Sequence, residues 1–305
     1  MGENSITAAD ARRPKHPLAP QRIIKLGSPI VTDQNGPEIR VGTSAFSAAG
    51  WEGAFYPAGT HPRDFLTYYA TKFNTVEVDS TFYRTPARST VTGWANKTPP
   101  GFVLSLKVPQ SITHEKCLED CDEEFKTFVD TAEILGKDKL GPMLFQFPYF
   151  NRTKFKTGAE FIARLRPFLK KLPKDHQFAL EIRNKNWLDE NFVQLLREHH
   201  VALAVIDQAW MPGITELASR LDPVTADFTY VRWLGDRKGI EEQTKVWDKT
   251  IVDRRAALSR WVDYCYQTTR RGIKVYAYAN NHYAGFAPAT VALFWELWEK
   301  RQAKS

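Results

Sequence analysis

Thr75-Val76-Glu77-Val78-Asp79-Ser80-Thr81-Phe82 places two carboxylates, spaced by two, inside a run of β-branched and apolar residues. Successive side chains of a strand point to opposite faces, so Glu77 and Asp79 share one face and Val76 and Val78 the other. Buried carboxylates are costly unless opposite charge meets them, so this strand requires cations from elsewhere in the chain.

Working outward, runs of the same kind recur along the whole sequence. Strands are predicted over Ile39–Ser44, Thr75–Phe82, Val103–Val108, Met143–Phe147, Phe178–Arg183, Ala202–Asp207, Thr229–Leu234 and Lys274–Ala279. Helical periodicity separates most of them: Arg63–Phe73, Thr90–Asn96, Glu123–Leu135, Gly158–Leu169, Leu188–His199, Asp253–Arg271 and, after the last strand, Pro288–Lys300. The link from the sixth strand to the seventh reads as the least helical. Eight alternating βα units predict an α/β fold, a single (β/α)8 TIM-type barrel over residues 39–303, because right-handed crossovers put every helix outside a parallel sheet. The competing open doubly wound sheet usually carries a glycine-rich phosphate turn after its first strand. Here that turn reads Gly42-Thr43-Ser44-Ala45-Phe46-Ser47, with neither glycine pattern. Residues 1–38, mixed in Pro, Gly, Asn, Asp and charge, are expected to be a flexible N-terminal extension.

Composition narrows the function classes. A hydrophobic fraction of 43% with nine Trp and nineteen Phe fits a packed globular chain. The net charge of +7 arises from 42 basic against 35 acidic residues interspersed along the same segments, which favours a small anionic partner and does not favour nucleic acid. Cys117, Cys121 and Cys265 make no even disulfide framework, and the first thirty residues lack the apolar core of a secretory signal. A cytoplasmic protein without a membrane span is therefore expected; oligomeric state is not legible.

Polar side chains gather at the carboxyl ends of the predicted strands: Thr43-Ser44, Glu77 and Asp79, Lys107, Gln146, Glu181 and Arg183, Asp207, Arg232, and Asn280-Asn281-His282. In a barrel these ends converge on one mouth, the face where such folds carry their sites. A lysine beside carboxylates in a partly dry mouth suits proton transfer or imine chemistry, so Lys107 is the first catalytic candidate, with Glu77 and Glu181 as bases or orienters. Arg183 and Arg232 present planar forks to a carboxylate or phosphate. Gln146, Asn280, Asn281, Asp207, Tyr83, His114 and Trp187 complete the expected substrate-binding set. His114-x2-Cys117-x3-Cys121 lacks a fourth ligand at zinc spacing. The charged stretch Gly235–Glu242 reads as a solvated loop or a lid.

These residues resemble the DUF72, or YecE-like, family. The resemblance covers about Ile39 to Leu297 and rests on Val41-Gly42-Thr43-Ser44 with Trp51 and Phe55-Tyr56-Pro57, then Phe73 through Tyr83, then Lys107-Val108-Pro109 with Ile112-Thr113-His114. It continues through Leu144-Phe145-Gln146-Phe147-Pro148, Glu181-Ile182-Arg183 with Trp187, Tyr230-Val231-Arg232, and Tyr276-Ala277-Tyr278-Ala279-Asn280-Asn281. It implies a TIM barrel and no particular chemistry. The chain departs from the family's usual pattern at Leu234-Gly235, where His-Gly is common, and at His282, where an acidic residue is common.

The leading expectation is an enzyme using acid–base chemistry on a small carboxylate or phosphate, without a cofactor. One alternative is a metal-dependent phosphoesterase or sugar isomerase-like enzyme, with a divalent ion on Glu77, Glu181, Asp207 and His282. Another is a non-catalytic ligand-binding barrel.

Overall fold

A computed structural model of the chain describes residues 38–304; the expectation for residues 1–38 therefore lies, apart from Glu38, outside the described residues. Eight parallel strands, β1 (Ile39–Thr43), β2 (Thr75–Val78), β3 (Val103–Lys107), β4 (Leu140–Gln146), β5 (Phe178–Glu181), β6 (Ala202–Gln208), β7 (Phe228–Gly235) and β8 (Lys274–Ala279), follow one another in the order β1-β8-β7-β6-β5-β4-β3-β2. The helices between and after them are α1 (Phe65–Tyr69), α2 (Arg88–Lys97), α3 (Asp122–Ala132), α4 (Gly158–Leu169), α5 (Glu190–Glu198), α6 (Ile214–Arg220), α7 (Arg237–Glu241), α8 (Arg255–Arg270), α9 (Asn281–Ala284) and α10 (Ala287–Gln302). The expected (β/α)8 barrel is the observed fold.

The seam between β1 and β2 is bridged by a side chain. Buried Tyr69 accepts a hydrogen bond from Thr43 N at 2.9 Å, and its hydroxyl donates to Thr75 O at 3.2 Å. Gly42 is required there, because a Cβ at that position would lie 2.2 Å from Thr75 O.

Two apolar layers form around the sheet. Val103, Leu144, Ala179, Ala202, Ala204, Phe228, Tyr230, Tyr276 and Tyr278 fill the interior, alternating with residues that face the helices. Tyr278 closes the interior beneath the mouth, its hydroxyl 2.8 Å from both Thr75 Oγ1 and Ser105 Oγ.

Several boundaries differ from the sequence reading. The sixth link is helical after all, since α6 lies there. The first predicted helix shortens to a 3-10 turn, Pro62–Asp64, followed by α1. β2 stops at Val78 and Asp79–Phe82 winds into a 3-10 turn. The cause is local: Thr81 Oγ1 accepts from Lys107 N at 2.9 Å and lies 2.7 Å from Lys107 O and 2.9 Å from Val78 O. A side chain thus replaces the backbone ladder at the end of β3, and the chain folds inward over Lys107. β5 likewise ends at Glu181, leaving Arg183 in the following loop.

Candidate functional site

The mouth is built in two tiers. In the inner tier, Arg232 of β7 lies between a carboxylate from β2 and one from β5. Its Nη2 and Nε donate to Glu77 Oε1 at 2.7 and 3.2 Å, and its Nη1 donates to Glu181 Oε2 at 2.6 Å. Tyr230, two residues earlier on the same face of β7, donates to Glu77 Oε2 at 2.7 Å, and Arg183 Nε donates to Glu181 Oε1 at 2.9 Å. All four carboxylate oxygens are therefore engaged. The Arg232 side chain is 2% exposed and those of Glu77 and Glu181 are fully buried. Burial opposes ionisation of Glu181, but Arg232, Arg183 and Lys107 overcome it and hold the carboxyl at about 2. Burial likewise opposes the Arg232 charge, and Glu77, Glu181 and Asp79 outweigh it, raising the guanidinium well above its ordinary value.

The outer tier is less complete. Lys107 Nζ, at the end of β3, forms an ion pair with Asp79 Oδ1 at 3.0 Å and sits 3.9 Å from the centroid of the Phe82 ring. Its side chain is 7% exposed, whereas that of Asp79 is 36% exposed and reaches solvent. Burial lowers the Lys107 pKa and the Arg232 charge adds to the effect, against the pull of Asp79. His114 packs edge-on to Phe82 at 4.8 Å and turns Nδ1 toward Thr113 Oγ1 at 2.8 Å. Burial, then Lys107 and Arg183, lower its pKa to about 4, so the ring is neutral at pH 7. Arg183 uses only Nε; its two terminal nitrogens make no hydrogen bond or ion pair among the described residues.

Of the sequence candidates, Lys107, Glu77, Glu181, Arg183, Arg232 and His114 come together. Arg232 differs from expectation in one respect: its fork is filled by Glu77 and Glu181, so it does not face a ligand. Gln146 pairs in register with Glu181, is buried, and donates to Phe147 O at 2.6 Å. Asn280 uses Oδ1 to cap α9, accepting from His282 N at 3.0 Å.

Four expected residues are elsewhere. Asp207 pairs in register with Trp233 and turns to the helical layer, where Trp261 and Tyr283 donate to its Oδ2 at 2.7 and 3.1 Å. The one-residue offset from the inward position of Ile206 decides this. Asn281 Oδ1 accepts from Trp51 Nε1 at 3.3 Å and from Ala287 N at 3.0 Å, joining α10 to the loop after β1. Trp187 stacks on Phe150 and Phe161 and belongs to the packing around α4. Tyr83 projects from the rim and is exposed, as are Tyr149 and Trp210.

The proposed metal quartet does not assemble: Glu77 and Glu181 are filled by arginine, Asp207 faces outward, and His282 Nε2 meets Glu241 at 2.9 Å. Among the described residues, no group of three or more His, Cys, Asp or Glu is placed to hold a metal ion. Nor is any described helix long and apolar enough to cross a membrane. The charged loop after β7 contains α7, tied to α9 through the Glu241–His282 contact.

Sequence reasoning passed over Phe82 and Tyr230. Tyr230 was legible as the period-two neighbour of Arg232, whereas the placement of Phe82 depends on the 3-10 turn that Thr81 forces.

The family described as protein of unknown function DUF72 matches residues 40–305. UPF0759 protein YunF of Bacillus subtilis is 33% identical over 153 residues, 48% of this chain and 52% of that protein. UPF0759 protein YecE of Escherichia coli K12 is 28% identical over 134 residues, 42% of this chain and 47% of that protein. The chain thus spans about half the length of the curated relatives it matches. The crystal structure of a DUF72 family protein from Thermotoga maritima superposes with a TM-score of 0.66 at 28% identity, covering 86% of this chain and 99% of that one.

Proposed function

The chain belongs to the DUF72 family, and from that premise we propose that its barrel mouth performs acid–base chemistry on a small anionic substrate, with Lys107 as the proton-transferring group. The observation that carries this reading is the Lys107 ammonium, buried against the Phe82 ring with Asp79 as its ion-pair partner. Burial and the nearby Arg232 charge lower the Lys107 pKa against the pull of Asp79, and so make the free amine, the form that accepts a proton, more accessible than in an exposed lysine. Asp79, partly solvated, connects that amine to bulk solvent. Arg183 holds the substrate anion with its terminal nitrogens, and neutral His114 offers Nε2 beside it. Glu77 and Glu181 act as positioning residues: they fix Arg232, and Glu181 aims Arg183.

Small carboxylates and phosphates that bind, found by thermal shift, are to be incubated in D2O and followed by NMR for deuterium entry at the carbon next to the anionic group. The wild type exchanges that proton; Lys107→Met binds through Arg183 yet exchanges at least about a hundredfold more slowly, the usual contribution of a positioned general base. Exchange at the wild-type rate in Lys107→Met overturns the assignment. Binding without exchange in the wild type makes the mouth a ligand-binding site only.

A further inference from the structure

Two polar atoms at the mouth have no partner. Ser44 Oγ and Gln208 Oε1 are buried, their residues 3% and 8% exposed, and neither makes a hydrogen bond among the described residues. Both belong to the inward register. Ser44 N continues the β1–β8 ladder by donating to Ala279 O at 2.9 Å, and Thr43, one residue before, turns outward to Tyr69. Gln208 ends β6 where the β6–β7 register shifts and it pairs with Gly235; along β6 itself it falls on the same face as the interior residues Ala202 and Ala204, opposite to outward-facing Asp207. Asn280, at the end of β8, commits Oδ1 to His282 and makes no hydrogen bond through Nδ2 among the described residues. Of the other buried polar atoms without a hydrogen bond, Asp79 Oδ1 has its ion pairs with Lys107 and Arg232, Arg40 Nε lies at the opposite end of the barrel, and Trp233 Nε1 faces outward.

The distribution around the sheet is one-sided. Asp79, Lys107 and Arg183 follow or end β2, β3 and β5, whereas Ser44, Gln208 and Asn280 follow or end β1, β6 and β8, the contiguous other half. In the first half the outer tier is charged; in the other half the one charge, Arg232 of β7, is enclosed by Glu77 and Glu181, and uncharged hydrogen-bonding atoms remain without a bond. An unpaired buried acceptor is unfavourable until a donor meets it, and a site built on such atoms discriminates strongly against ligands that lack the donor.

We infer that the substrate is a polyhydroxylated anion, such as a sugar acid or sugar phosphate, lying across the mouth. Its anionic group rests on Arg183, beside Lys107, and its hydroxyls donate to Gln208 Oε1, exchange hydrogen bonds with Ser44 Oγ and accept from Asn280 Nδ2. This rests on the anion-binding reading above and adds the chemistry of the substrate's other end.

Calorimetric titration of the full chain with matched pairs tests it: gluconate against hexanoate, and ribose 5-phosphate against pentyl phosphate. In the wild type the hydroxylated member of at least one pair binds tenfold or more tightly than its deoxy partner, and that pair names carboxylate or phosphate as the anionic group. In the Ser44→Ala/Gln208→Leu variant the preference falls below threefold while the deoxy partner keeps its affinity. The same variant unfolds at an unchanged or higher denaturant concentration, since it removes unpartnered polar atoms, so a lost preference is not a folding defect. Equal binding within both pairs, or an undiminished preference in the variant, overturns the inference and leaves anion binding standing. Failure of all four probes to bind, with inorganic phosphate and acetate also inert, overturns the anion reading and this inference with it.

Discussion

The inner tier of the mouth, Glu77, Glu181, Arg232 and Tyr230, and the outer tier, Lys107, Asp79, Arg183 and His114, draw on the same residue chemistry a few ångströms apart. In the inner tier every carboxylate oxygen has a partner and the guanidinium is enclosed. In the outer tier Arg183 and His114 keep nitrogens without protein partners, and Asp79 is partly in water. A saturated buried network fixes geometry and has no capacity for a ligand, whereas an unsaturated one has it. Breaking the inner tier is therefore expected to show in stability, and breaking the outer tier in function.

The largest effect belongs to Arg232→Met. It leaves Glu77 and Glu181 buried without their shared cation and lowers unfolding stability by about 3–5 kcal/mol, read from urea midpoints at pH 7. Adding Glu77→Gln and Glu181→Gln recovers part of that loss; if it recovers none, the charges are not what destabilises the single variant.

Glu181 gives the inner tier a signature in pH. Its folded-state value of about 2 lies below the ordinary 4.5, so the unfolded chain binds more protons between these values. Its contribution is complete above pH 4.5 and is lost as pH falls toward 2, amounting to roughly 3 kcal/mol across that window. The Glu181→Gln variant shows a correspondingly shallower fall in stability over the same range. Parallel wild-type and variant curves contradict the assignment.

Lys107→Met tests the outer tier by the opposite expectation. Asp79 is partly solvated and keeps Arg232 Nη2 at 3.6 Å, so unfolding stability changes by no more than about 1 kcal/mol, even though proton exchange on substrate collapses. A loss comparable to that of Arg232→Met erases the distinction between the tiers. The smallest effect is spectroscopic: the imidazole resonances of His114 stay flat from pH 8 and titrate near 4. A titration near 6.5 places the ring in ordinary solvent and outside the tier.

Much of the inner tier was legible before folding. Glu77, Glu181 and Arg232 sit within apolar strands, and charges in such runs must meet one another, so their convergence followed from strand order and the cost of burial. The outer tier was less legible because it lies where strands give way to turns. Asp207 and Asn281 read as site residues by their distance from a strand end, yet one residue of register sends Asp207 to Trp261 and Tyr283, and helix capping takes Asn281. Trp187 read as a substrate-binding residue and is held by stacking on Phe150 and Phe161 instead.

The barrel and the face on which its charges gather were thus determined by the sequence alone, because period-two burial and right-handed crossovers are local rules that each βα unit obeys. Tertiary structure decided which of those charges remain open. That depends on pairings between residues far apart in the chain, such as Arg232 with Glu77 and Lys107 with Asp79, and on the Thr81 hydroxyl ending β2 early. Saturation is a property of distances between strands, and no spacing within one strand records it.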